Sequence, residues 1–196
     1  MSAVKRFTTG RIVVLAALCS ALALAPAAQA TQRHHHHPRQ WSNYGSTKLV
    51  LDSGAVSALQ SLGITPGLVG NAFQDHGALA FPITNPFLNA FATGTIKHSG
   101  GISLTKGMTT VRLTDFWINV PAGTLSATVN GGSRVDILSL DYGQTKVHAG
   151  WGRIVIGPVG ASLTSGAASA LNTAFNTTAF TKGLVLGQAT VRYRVG

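Results

Sequence analysis

The sequence predicts an all-β protein whose mostly antiparallel strands form a sandwich or flattened barrel with two short capping helices. The first observation is a series of short segments in which apolar and polar residues alternate. Gly, Asn, Pro or Asp separates these segments, as is typical of strands joined by turns. The second observation is a phrase that the chain uses twice, LDSGAVSAL at 51–59 and LTSGAASAL at 163–171.

The alternating segments follow one another from residue 79 to the C-terminus. Asn130 to Gly132, NGG, is the clearest hairpin turn, because Asn and Gly tolerate the positive φ angles of tight reversals. The apolar positions that define the strands are Leu79, Phe81, Ile83, Ile102, Leu104, Val111, Leu113, Leu125, Ala127, Val129, Val135, Ile137, Ile154, Ile156, Val191, Tyr193 and Val195.

The repeated phrase predicts two corners of the same construction, each a strand, a short helix, a turn and a strand. Asp52 or Ser53 in the first copy, and Thr164 or Ser165 in the second, can cap a helix by accepting a free backbone N–H. We therefore expect helices at 53–62 and 165–174, each followed by a strand at the edge of the domain. An internal duplication with two equivalent ligand sites is the functional alternative, but small residues that pack closely explain the repeat more simply.

The N-terminal region predicts export. Lys5, Arg6 and Arg11 precede an apolar run at 12–24, and Ala28 and Ala30 supply small residues for cleavage, so residues 1–30 are read as a signal peptide. The run is too short for a comfortable transmembrane span. We expect the protein to be secreted or associated with the cell surface.

Residues 31–46 are predicted to be a disordered, removable leader, and residues 47–196 a single β-rich domain. The leader contains an uninterrupted run of imidazoles that could bind zinc, copper or nickel weakly. A solvated polar tail is the simpler interpretation of the run, which consists of His34, His35, His36 and His37.

The charge of the chain limits its partners. It carries 15 Lys and Arg against five Asp and no Glu, a formal charge of +10, which falls to +7 without Lys5, Arg6 and Arg11. Anionic cell-wall polymers or lipid surfaces could attract such a protein. The basic residues are dispersed rather than gathered with aromatics, so nucleic acid is not an expected partner.

The residues argue against catalysis, and we expect a protein that is not an enzyme. Its few carboxylates lie in caps and turns or, for Asp115 and Asp136, in strands without a nearby His in sequence. No G-x-S-x-G, H-E-x-x-H or P-loop pattern occurs. Cys19 is the only cysteine and lies in the predicted signal peptide. The strongest candidate for a ligand contact is His98, which precedes Gly100 and Gly101 and should project at a loop end near closely approaching backbone. The same position also suits the alternative, a structural His that ties down the hairpin.

Two stretches of the domain carry a family resemblance. The segments GTIKHSGGISLTKGMTTVRLTDFWINVPAGTLSATVNG at 94–131 and VDILSLDYG at 135–143 resemble the core of HtaA-type domains, secreted or wall-exposed actinobacterial domains that take part in haem uptake. The resemblance implies a β-rich fold and haem as a possible ligand. The matching residues are His98, Gly100, Gly101, Leu104, Asp115, Gly123, Thr124, Leu125 and Val129.

The resemblance implies a haem contact at one position. Haem-binding members use a tyrosine of the first helical segment as axial ligand, supported by the histidine of the glycine turn, but residues 53–63 contain no tyrosine. Only His98 therefore transfers, with Gly100 and Gly101 beside it. We expect an extracytoplasmic module that binds or handles haem. The alternative is a structural or adhesive wall-associated protein without a small-molecule site.

Overall fold

The computed structural model describes residues 44–88 and 94–194, which contain twelve strands and two helices. The first half comprises β1 (Gly45–Leu51), α1 (Ser53–Ser61), β2 (Thr65–Val69), β3 (Phe73–Asp75), β4 (Ala78–Leu88), β5 (Gly94–His98) and β6 (Gly101–Lys106). The second half comprises β7 (Thr109–Asn119), β8 (Thr124–Val129), β9 (Arg134–Asp141), β10 (Lys146–Gly150), β11 (Arg153–Leu163), α2 (Ser165–Phe175) and β12 (Val185–Arg194).

Eight of these strands close into a barrel. The order around the ring is β7, β5, β4, β1, β12, β11, β9 and β8, and the pairing of β7 with β8 completes it. Every neighbouring pair is antiparallel. The predicted fold class is confirmed, and of the two predicted architectures the structure has the barrel.

The remaining strands extend the barrel outside the ring. β6 pairs with the first half of β7, and β2 pairs with β6. β7 can pair with both β6 and β5 because it has a bulge at Asp115, whose φ is +54°. The short strands β3 and β10 add to β4 and β11.

The side-chain alternation predicted from the sequence separates the interior from solvent. On β12, for example, Ala189, Val191 and Tyr193 are buried, whereas Arg192 and Arg194 between and beyond them are exposed. Successive residues of a strand point to opposite faces, so the inward set forms the apolar wall of the barrel.

The two predicted helices are confirmed. The Asp52 side chain accepts from the backbone N–H of Gly54 at the start of α1, and the Thr164 hydroxyl accepts from that of Ala167 at the start of α2. Both caps satisfy a backbone donor that the helix leaves free.

Both corners meet at one end of the barrel. The backbone N–H of Asp52 donates to Leu186 O, and that of Leu163 donates to Leu184 O, so the two helices begin on either side of the first residues of β12. We call this the corner end, and the opposite end, where β10 and the β10–β11 turn lie, the hairpin end. The expectation of an edge strand after each helix holds for β2 and is wrong for β12, which lies between β1 and β11 because it is hydrogen-bonded on both sides.

The described domain begins slightly before the predicted boundary. Gly45 and Ser46 are the first residues of β1 and pair with Tyr193 and Arg192, so residue 47 lies inside a strand. The predicted signal peptide at 1–30, and the predicted leader up to residue 43, lie outside the described residues. Within the described part of the chain, no helix is long and apolar enough to cross a membrane.

Candidate functional site in the barrel interior

The barrel encloses a cavity of about 640 Å³. Its wall consists of apolar side chains from two buried clusters, one with Phe81, Phe116 and Leu171 toward the corner end and one with Ile96, Ile156 and Val191 toward the hairpin end. A volume of this size falls in the range of sites for small organic ligands, and eight-stranded barrels are wide enough to hold one. A few polar residues also line it: Thr47, His98, Asn130, Ser133, Tyr142 and Thr145.

His98 lies in the wall of this cavity at the end of β5, and only 4% of the residue is exposed. Its Nδ1 lies 2.9 Å from the backbone oxygen of Phe116, which can only accept, so Nδ1 carries the proton and donates. Nε2 is then an acceptor, and the Thr47 hydroxyl donates to it at 2.7 Å. Both ring nitrogens therefore have protein partners.

The environment of His98 keeps its ring neutral. Burial lowers the pKa of His98 to about 4, and the hydrogen bond to the backbone of Phe116 opposes this only in part. At neutral pH the imidazole is therefore an uncharged link between β5, β7 and β1. His98 lies at the end of a strand beside the glycine turn, as expected, but its imidazole turns into the barrel instead of projecting from the loop.

Gly100 and Gly101 occupy the turn after His98, but they do not line the cavity. Gly100 has a φ of +80°, and a Cβ there would overlap the backbone N of Ala72. A Cβ on Gly101 would overlap the backbone oxygen of Leu113. In this structure the two glycines let neighbouring chains approach closely, so among the three predicted contacts only His98 faces the interior.

Tyr142 is a candidate contact that the sequence reasoning missed. Its hydroxyl is buried, and no described residue offers it a hydrogen bond. Burial raises the pKa of Tyr142, so the hydroxyl stays protonated at neutral pH. The ring lines the cavity beside the inward side chains of β9. The signal was the alternation of Leu138, Leu140 and Tyr142, which continues the inward face of β9 into the turn.

The four leader histidines, His34, His35, His36 and His37, lie outside the described residues, so the weak metal site remains a prediction. Within residues 44–88 and 94–194, no group of three or more His, Cys, Asp or Glu side chains is placed to hold a metal ion. Asp75 illustrates how an acidic side chain is used instead: Lys48 and His76 bind its carboxylate, and these hydrogen bonds lower the pKa of Asp75.

Fold and interior together define a class: an antiparallel barrel of eight strands, capped at one end by two short helices, with an apolar cavity. Two solved structures have a similar fold. The chain is similar to the crystal structure of the C-terminal domain of HtaA from Corynebacterium glutamicum, with a TM-score of 0.55 and 18% identity over 79% of this chain and 98% of that one. The resemblance predicted from the sequence is thus confirmed at the level of the fold.

A second structure of the same HtaA domain gives the same result. It is the domain-swapped dimer of a histidine-to-alanine variant, and it is similar to this chain with a TM-score of 0.52 and 18% identity over 74% of this chain and 94% of that one. No family model matches the sequence, and no curated protein matches it significantly.

Proposed function

We propose that this protein binds one largely apolar small molecule inside the barrel, and that the molecule is haem. The observation that carries the proposal is the cavity of about 640 Å³, whose wall is almost entirely apolar and includes one buried hydroxyl without a described partner. Binding sites for small molecules commonly combine an apolar wall with a small number of polar groups. The shared fold with the C-terminal domain of HtaA supports haem as the ligand to test first.

Two polar residues of the cavity, His98 and Tyr142, differ in how well they could bind the iron of haem. His98 already uses both ring nitrogens, so it fits the role of a wall residue better than that of an iron ligand. Tyr142 fits the role of ligand, because its hydroxyl has no described partner and tyrosine is one of the axial ligands that haem iron accepts. When bound, haem would supply the iron for that contact. The axial tyrosine would then come from the turn after β9 instead of residues 53–63.

The lining of the cavity contains no Lys, Arg, Asp or Glu. Unpaired charges are costly to bury, so the carboxylates of haem would have to remain at the solvent-exposed rim. We further propose that the protein is exported and acts as a binding module without enzymatic activity. Both proposals rest on the sequence patterns described above.

Titration of the chain from residue 31 with hemin tests the function. We expect a Soret band with one equivalent bound. Tyr142→Phe should shift or weaken this band, and Tyr193→Phe, which alters another buried tyrosine, is the matched control and should leave it unchanged. Iron-free protoporphyrin IX should bind the Tyr142→Phe and Tyr193→Phe variants alike, because its binding depends on the apolar wall and not on an iron ligand.

The outcomes separate the two parts of the proposal. Binding of protoporphyrin without a Tyr142-dependent Soret shift would retain a ligand-binding barrel and reject Tyr142 as the iron ligand. The absence of any Soret band between about pH 6 and 8, the range in which neutral histidine and tyrosine are available, would reject haem. Failure of both ligands to bind would favour the structural or adhesive alternative.

A further inference from the structure

The turn between β10 and β11 carries an aromatic side chain that folding does not explain. Trp151 is fully exposed, so its ring contributes nothing to the core. Trp151 and Gly152 connect the strands with φ angles of +54° and +67°, the combination of a type I′ turn. That turn favours Asn, Asp or Gly at its first position, and a bulky residue with positive φ is unfavourable. Trp151 is therefore present at a conformational cost.

Uncompensated cations surround this turn. Arg153 on β11 lies directly opposite Arg194 on β12, and Val155 lies between His148 and Arg192 on its two neighbouring strands. The side chains that alternate with the arginines, such as Tyr193, are buried, so the arginines face solvent. Like charges directly opposite each other on paired strands repel. Lys146 lies on the same face of β10 as His148, because the two are separated by one residue.

No acidic residue balances this charge in β10, β11 or β12, all of which the structure describes in full. The ion pairs found among the described residues join Asp75 to Lys48 and His76, and none of them includes a cation of these three strands. We call the set Lys146, His148, Trp151, Arg153, Arg192 and Arg194 the hairpin-end face. It combines repelling cations with an exposed indole, and neither feature stabilises the fold.

We propose that the hairpin-end face docks the barrel on an anionic lipid surface. Tryptophan prefers the interfacial layer of a bilayer, where its ring is half in apolar and half in polar surroundings. Arginine binds phosphate groups in a bidentate manner, and phosphate headgroups would relieve the repulsion between Arg153 and Arg194. A soluble polyanion would engage the cations but would leave the exposed indole unexplained. This proposal is independent of any ligand in the barrel.

Co-sedimentation with vesicles tests the docking surface. The chain from residue 31, which the predicted cleavage would leave, should bind vesicles of phosphatidylcholine mixed with phosphatidylglycerol and not vesicles of phosphatidylcholine alone. Trp151→Asn should weaken binding by about tenfold or more, since it removes a large apolar side chain. The same substitution should leave the melting temperature unchanged or raised, because Asn suits the turn.

The charges are tested separately. Replacing Arg192 and Arg194 with Gln should weaken binding to the anionic vesicles by about 30-fold. The two arginines should contribute about equally to this loss, because each basic residue near an anionic leaflet adds a similar electrostatic attraction. The matched control replaces two exposed cations outside the face, Arg112 and Lys182, with Gln, and should reduce binding much less. Met108→Asn, at a fully exposed position in the β6–β7 turn, is the control for Trp151.

Several outcomes would overturn the proposal. Failure of the unaltered chain to bind anionic vesicles would refute it directly. Equal losses in the Arg192/Arg194 and Arg112/Lys182 pairs would mean that net charge alone acts. Binding that persists in Trp151→Asn, or tighter binding to soluble polyphosphate than to vesicles, would reject a lipid surface as the partner.

Discussion

The hydroxyl of Thr47 donates a hydrogen bond of 2.7 Å to Nε2 of His98, and 51 residues of chain separate the two. Thr47 lies on β1 and His98 on β5, with β4 between these strands in the ring. The contact therefore ties together strands that do not pair with each other. Because Nδ1 of the His98 imidazole also donates to Phe116 O on β7, one neutral side chain links three strands of the wall.

Loss of the imidazole should destabilise the fold. His98→Ala leaves the Thr47 hydroxyl and Phe116 O without their partner in a buried region, and each unsatisfied polar group costs about 1–3 kcal/mol. We expect the free energy of unfolding to fall by at least about 2 kcal/mol in denaturant titrations. Thr47→Ser, which keeps the hydroxyl, should be milder than Thr47→Val. An unchanged unfolding midpoint for His98→Ala would contradict the structural role.

Stability should also depend on pH through His98. Its pKa is lowered to about 4 by burial, against an ordinary value of 6.5. The unfolded chain therefore takes up this proton first as the pH falls. The stabilising contribution is complete above about pH 6.5 and is lost progressively between about pH 6.5 and 4, by roughly 3 kcal/mol in total.

Denaturant unfolding of the unaltered chain and of His98→Gln across this pH range checks the prediction. Gln does not titrate, so the variant should lose a correspondingly smaller amount of stability on acidification. Parallel pH profiles for the two proteins would show that another group is responsible.

The N-terminal boundary of the domain can be located by truncation. A chain that begins at Tyr44 keeps the whole of β1 and the hydrogen bond from the N–H of Arg194 to Tyr44 O, whereas one that begins at Thr47 loses it together with the pairs of Gly45 and Ser46. We expect the shorter chain to lose about 1–3 kcal/mol and to melt at least about 3 °C lower. Equal melting temperatures by differential scanning calorimetry would place the functional boundary at residue 47.

Two glycines should respond to alanine in opposite directions. Gly101→Ala places a methyl group against the Leu113 carbonyl, which belongs to a strand of the wall, and should cost about 2 kcal/mol or more. Gly166→Ala lies in α2, where the new Cβ meets no described atom within 4 Å apart from its chain neighbours and the backbone of the helix, and should stabilise by about 0.5–1 kcal/mol. Thermal unfolding of the pair measures both effects. A neutral Gly101→Ala would mean that β6 and β7 can separate locally.

The features that could be predicted from the sequence are those that depend on residues close together in the chain. Asp52 and Thr164 marked the starts of both helices, because capping needs only a residue and the backbone that follows it. The burial of His98 could not be predicted, since its partners Thr47 and Phe116 are 51 and 18 residues away in the chain. Tyr142 was missed for a related reason. Asp141 and Gly143 beside it are typical of a turn, and only the closed barrel shows that the phenol points inward.

The pairing of β1 with β12 has a consequence for how the protein is made. These two strands are hydrogen-bonded from Gly45–Tyr193 to Leu51–Gly187, so the first and the last described strands are neighbours in the ring. During synthesis β1 leaves the ribosome long before its partner exists, and its edge toward β12 stays open until then. Long-range pairings of this kind slow folding. Until then the edge of β1 can pair with other chains, and β12 is the strand whose arrival completes the barrel.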